Sequence, residues 1–94
     1  MTDFIDTLFA TLEERKANPS PDSYTSSLLE AGENAIAQKV GEEAVEVVVA
    51  ALGQTNERLV EETADLVYHT LVLLVSRGLS WDDIRQELEK RHKK

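Results

Sequence analysis

Five acidic side chains fall into two short clusters, Glu42-Glu43-x-x-Glu46 and, after fifteen intervening residues, Glu62-x-x-Asp65. At 100° per residue, Lys39, Glu42, Glu43 and Glu46 share an arc of about 100° on one helix face, with Val40, Ala44, Val47 and Val48 beside it. Arg58, Glu61, Glu62, Asp65 and His69 share a similar arc on the next segment. Where two such faces meet, four or five carboxylates converge. Like charges one helical turn apart cost about 0.2–0.5 kcal/mol even when exposed. Partial burial raises that cost, and a divalent cation reverses its sign. An all-oxygen donor set suits Mg2+, with Mn2+ as a substitute, rather than zinc or copper. Such a site can hold a polyphosphate, because the ion screens phosphate charge and acidifies water. The bland alternative is a pair of solvated acidic faces.

The elements that would position these groups are helical. Asp3 to Lys16 carries apolar residues at Phe4, Ile5, Leu8, Phe9 and Leu12, with Asp3 at the N-cap. Pro19 and Pro21 make Ala17 to Ser23 a loop. A short helix follows from Thr25 to Ala31, ending at Gly32. A long helix is predicted from Glu33 to Leu52, stopping at Gly53, with Ile36, Val40, Ala44, Val47, Val48 and Ala51 on its apolar face. The valines from Val45 to Val49 raise a strand alternative, which the helical pattern on both sides rejects. Asn56 is the predicted cap of a helix from Glu57 to Arg77, closed by Gly78, within which Leu71 to Val75 should be fully enclosed. Ser80 and Asp83 form a capping-box pattern for a last helix to about Arg91, where Trp81 is expected as a packing anchor. The tail Lys90, Arg91, His92, Lys93, Lys94 complements that helix's C-terminal dipole. The connection Gly53 to Asn56 is short enough to make the two acid-bearing helices antiparallel neighbours.

The fold class is therefore all-α, a bundle of four to five helices in one domain spanning residues 1–94. A chain of 94 residues with only 5% aromatics buries a modest core. This favours a homodimer whose partner completes the core. The net charge of −8 argues against a nucleic-acid or anionic-membrane surface. No signal-peptide pattern is visible, there is no cysteine, and the longest apolar run is Val47 to Leu52. A cytoplasmic protein is expected.

The acid motif resembles that of the MazG-like all-alpha nucleotide pyrophosphohydrolases. The strings Ser23-Tyr24-Thr25, Gln38 to Glu46 and Glu62-Thr63-Ala64-Asp65-Leu66-Val67-Tyr68-His69 are similar to the phosphoribosyl-ATP pyrophosphatase family of histidine biosynthesis, over nearly the whole chain. The resemblance implies hydrolysis of phosphoribosyl-ATP to phosphoribosyl-AMP and pyrophosphate by water attack on the phosphoanhydride chain, with magnesium, in a helical-bundle dimer. Some members are fused to the cyclohydrolase of the next step. With 94 residues and no cysteine, the sequence is expected to be the stand-alone form, without that domain and its zinc site. Glu42, Glu43, Glu46 and Asp65 are assigned as metal ligands and Glu62 as ligand or general base, with Glu43, Glu46 and Glu62 forming the catalytic set. Lys39 is either a phosphate contact or an ion-pair partner of Glu43. Arg15 and Lys16 are substrate contacts or partners of a helix C-terminus, and Ser23, Tyr24 and Thr25 contact ribose or base or simply begin a helix. His69 is expected to act at most through a neighbour, and Tyr68 to sit in core or interface with its hydroxyl paired.

Two rival functions remain. One is a house-cleaning hydrolase of non-standard nucleoside triphosphates built on the same acids. The other is a non-catalytic helical dimerisation module with Leu71 to Val75 as its interface.

Overall fold

A computed structural model describes residues 3–93. Met1, Thr2 and Lys94, the last lysine of the predicted basic tail, lie outside the described residues. Five helices follow one another: α1 (Phe4–Ala17), α2 (Tyr24–Ala31), α3 (Glu33–Gly53), α4 (Asn56–Arg77) and α5 (Trp81–His92). No strand occurs among the described residues.

Local chemistry sets the boundaries. Asp3 occupies the N-cap of α1 but makes no side-chain capping bond; its carbonyl instead accepts from the Asp6 and Thr7 amides at 3.0 and 3.4 Å. The α2 start is capped by Ser23, whose Oγ accepts from the Ser26 amide at 3.1 Å. Thr55, rather than the expected Asn56, caps α4: its Oγ1 accepts from the Arg58 amide at 3.2 Å, and Asn56 is already helical. Either residue type can cap, and the Thr55 hydroxyl takes the role one residue earlier. Ser80 and Asp83 form the expected reciprocal capping box. Gly78 closes α4 with φ of +78°, the left-handed conformation that glycine tolerates.

The most extensive packing is between α3 and α4. Their antiparallel register is fixed at one end by the short turn and at the other by Arg77, whose Nε and Nη2 donate to the two Glu33 carboxylate oxygens at 2.6 and 2.8 Å. The core gathers Phe9 and Leu12 of α1, Leu28 of α2, Ile36 of α3, and Leu71, Val72, Leu74 and Val75 of α4. Within the predicted enclosed run only Leu73 is partly exposed. These side chains form the chain's own interior, so they are not the surface that a pure dimerisation module would need. Trp81 and Ile84 pack α5 onto this core, as expected of the tryptophan, and Arg85 pairs with Asp6 of α1.

The apolar face of α3 departs from expectation. Ile36 and Ala50 are buried and Val40, Ala44 and Val47 are half-buried, whereas Val48 is 55% exposed and Ala51 is exposed. The face against α4 runs through Ile36, Val40, Glu43, Val47 and Ala50, all within about 80° of arc. Val45, Val48, Val49 and Leu52 form a second stripe at i, i+3, i+4 and i+7, open to solvent together with Val60 of α4. Valine-rich helices carry no marker of which of two apolar stripes faces inward.

Candidate metal and phosphate site

Glu43 is the one acid of its cluster that lies on the α3 face turned toward α4, so its side chain is only 12% exposed. Glu62 faces it from α4 and its side chain is 10% exposed. Asp65, one turn further along α4, is exposed. One carboxylate oxygen from each of Glu43, Glu62 and Asp65 lies within 4.8 Å of the other two. Glu42 and Glu46 sit at about −100° and −60° from Glu43 around the helix, which carries them off the seam and into solvent. The structure therefore gathers three of the five acids predicted as metal ligands and leaves two on the rim.

The gathered set suits a hard divalent cation. Oxygens on opposite sides of an octahedral Mg2+ stand about 4.2 Å apart, from metal–oxygen distances of about 2.1 Å. Oxygens in adjacent positions stand about 3.0 Å apart, and the three carboxylate oxygens, each within 4.8 Å of the other two, lie near that range. The donors are all carboxylate, and the open side at Asp65 leaves room for water and phosphate oxygens.

Cationic side chains already line the cluster. Lys39 Nζ lies 3.4 Å from Glu43 Oε1 and 4.0 Å from Glu42 Oε1. Its ammonium is held above the ordinary lysine range, chiefly by the hydrogen bond with Glu43; burial opposes this, and Tyr24, Glu43 and Glu42 add to it. Gln38 Nε2 donates to Glu42 at 3.2 Å. Arg58 bridges Glu61 and Glu62 through its two terminal nitrogens.

The start of α2 forms a wall beside this seam. His69 is buried, and its Nδ1 lies 2.8 Å from the Asp65 carbonyl oxygen, which can only accept. Nδ1 is thus the donor to that carbonyl, and Nε2 pairs with the Tyr24 hydroxyl at 3.1 Å. Thr25 bonds the Tyr68 hydroxyl, and the Tyr24 and Tyr68 rings stack with centroids 6.3 Å apart. Tyr24 remains 53% exposed. Ser23 is occupied in capping the helix.

Arg15 and Lys16 lie apart from the acids. Lys16 Nζ donates to the Val75 carbonyl at 3.0 Å, near the α4 C-terminus, and Arg15 pairs with Glu14 at 2.7 Å. Both border a shallow cavity of about 410 Å³ between α1, α2 and α4, with Ser26 and Ser76 on its lining.

The sequence model of the phosphoribosyl-ATP pyrophosphohydrolase family matches residues 5–92. The chain belongs to that family. Its similarity to individual phosphoribosyl-ATP pyrophosphohydrolases is correspondingly high. It is 50% identical to the phosphoribosyl-ATP pyrophosphatase of Metallosphaera sedula over 99% of this chain and 100% of that one. It is 57% identical to the phosphoribosyl-ATP pyrophosphatase of Pyrobaculum aerophilum, over 92% of each. It is also 53% identical to the histidine biosynthesis bifunctional protein HisIE of Gloeobacter violaceus over 97% of this chain, which spans 41% of that protein.

Two features of the site were not assigned from the sequence, and they differ in how far the sequence signals them. The Arg58 bridge has a local signal, an arginine three and four residues before two glutamates. The Tyr24–His69 bond joins residues 45 apart and has none.

Proposed function

We propose that this chain hydrolyses phosphoribosyl-ATP to phosphoribosyl-AMP and pyrophosphate at the Glu43–Glu62–Asp65 cluster. The observation that carries the site is the convergence of these three carboxylates, two of them largely buried, at the α3–α4 seam. Family membership and relatives at about 50% identity support this substrate over a non-standard nucleoside triphosphate.

Glu43, Glu62 and Asp65 would hold Mg2+, with Mn2+ as a substitute, and the rim acids Glu42 and Glu46 would approach with substrate in place. The bound ion supplies charge screening on the phosphates and a more acidic water. Water attacks a phosphoanhydride phosphorus, a P–O bond forms as the bridging P–O bond breaks, and pyrophosphate departs. The proton released by that water passes to a carboxylate, for which Glu62 and the exposed Glu46 are the available bases. Lys39 leaves its pair with Glu43 to meet a phosphate oxygen. The exposed Tyr24 ring, with its hydroxyl fixed by His69, offers a wall for ribose or base, and the buried Thr25 supports it from behind through the Tyr68 hydroxyl. Ser23 supports that wall as the α2 cap. Arg15 meets the far phosphate at its cavity, and Lys16 joins it only by releasing the Val75 carbonyl.

The α3 stripe of Val45, Val48, Val49 and Leu52, with Val60, supports a homodimer in which a second copy covers it. No helix among the described residues is long and apolar enough to cross a membrane. A cytoplasmic setting suits a cysteine-free enzyme of nucleotide chemistry.

The test is pyrophosphate release from phosphoribosyl-ATP, coupled to a colorimetric readout, with and without EDTA. Metal-dependent product is expected. Folded protein that yields none, or that prefers a deoxynucleoside triphosphate in a substrate panel, would overturn the proposal.

A further inference from the structure

Glu62 presents an electrostatic problem that the metal reading alone does not solve. Its side chain is only 10% exposed and its carboxylate stands among those of Glu43 and Asp65. The chain meets this with Arg58, one turn before Glu62 on α4, and the manner of the meeting is informative. Arg58 splits its guanidinium between two acids: Nη2 holds the buried Glu62 and Nη1 holds Glu61, whose side chain is 61% exposed. The Arg58 side chain is itself 45% exposed, so it is free to shift.

We infer that Arg58 is a stand-in cation: it neutralises Glu62 while the site is empty, gives Glu62 up when a divalent ion enters, and stays parked on Glu61. This rests on the reading of Glu43, Glu62 and Asp65 as a metal site. A cation and a guanidinium compete for the same Glu62 oxygens, so entry of one requires withdrawal of the other. Because the Nη1 bond to Glu61 persists, the exchange breaks one ion pair rather than two and keeps a positive charge at the rim, where polyphosphate arrives. The empty site thus tolerates its crowded acids, and the ion binds more weakly than the acids alone would allow.

The experiment titrates Mn2+, without nucleotide, into the full-length wild type, Arg58→Gln and Arg58→Lys, read by calorimetry and by thermal melts. Substitution leaves the helix cap intact, since Thr55 accepts from the Arg58 backbone amide. Wild type is expected to bind Mn2+, and Arg58→Gln to bind it roughly three- to tenfold more tightly, the factor set by releasing one half-exposed ion pair. Arg58→Lys, which keeps the charge but loses the fixed fork that spans Glu61 and Glu62, should fall between. In EDTA, Arg58→Gln should melt below wild type, and saturating Mn2+ should close that gap. An affinity unchanged within twofold, or weakened, overturns the inference, as does a melting deficit of equal size with and without Mn2+. Wild type that binds no Mn2+ would strike the metal reading itself, whereas binding by wild type with no change in the variant strikes the stand-in alone.

Discussion

Replacing Glu43 by Gln should make the protein more stable and far less active, and the structure sets both magnitudes. The Glu43 carboxylate lies within 4.8 Å of those of Glu62 and Asp65. A like-charge pair at that separation costs about 0.9 kcal/mol in bulk water and about 3.5 kcal/mol at an effective dielectric near 20. Asp65 is open to solvent and Arg58 already offsets Glu62, so the lower value is the better guide. Two such repulsions vanish in the glutamine variant. Against this stands the loss of the Lys39 pair, half-exposed and worth about 0.3–0.5 kcal/mol. The net gain for the metal-free protein is about 1 kcal/mol, or roughly 4–8 °C in Tm for a domain of this size. Turnover should fall by roughly 10²–10⁴-fold, because a neutral amide is a far weaker partner for magnesium and for developing charge. The two readouts are a circular-dichroism melt in EDTA and pyrophosphate release at saturating Mg2+. A variant that melts several degrees lower in EDTA, or that keeps turnover within tenfold, would show that these carboxylates do not crowd a common cation position.

Other perturbations probe other parts of the molecule. Lys39→Met should lower kcat/KM roughly 10- to 100-fold in a steady-state assay, the loss of a charge-assisted phosphate bond of about 1.5–3 kcal/mol. In the proposed homodimer, Val48→Asp should weaken association at least ~100-fold and give a monomer by light scattering, since a buried unpaired carboxylate costs several kcal/mol. Ile36→Ala, at a fully buried core position, should cost about 2–5 kcal/mol in a urea melt. Arg77 holds the Glu33 carboxyl below its ordinary value of 4.5, chiefly through their hydrogen bond. The stability this pair contributes is therefore complete above that ordinary value and is lost as pH falls through the lowered folded-state value. The Tm difference between wild type and Arg77→Met should accordingly close in acid below the ordinary glutamate range.

Helix identity and most boundaries were legible because apolar period, proline, glycine and capping residues all agree along the chain. The antiparallel α3–α4 pair was legible for a simpler reason, the shortness of its turn. Rotation of α3 was not. Five acids could be placed on two facing arcs, but an arc of about 100° spans both seam and rim, and only packing against α4 decides that Glu43 turns in while Glu42 and Glu46 turn out. The same rotation puts Val48 in solvent, although its neighbours in sequence gave it equal claim to the core. Lys16 shows a third kind of ambiguity. A lysine at the end of α1 was readable as a phosphate contact or a helix-end partner, and the Val75 carbonyl that engages it is 59 residues away.

Gly32 is the single residue between α2 and α3, with φ of +101° and ψ of 167°, a conformation essentially reserved for glycine. At its other end α2 is latched to α4 by Thr25 and Tyr24. A short rod fixed at both ends cannot change length. Over evolutionary time, insertions should therefore accumulate in the Asn18–Ser23 connection, where slack is harmless, and be purged at Gly32. There, one extra residue would slide the wall that carries Tyr24 along the floor that carries the acids.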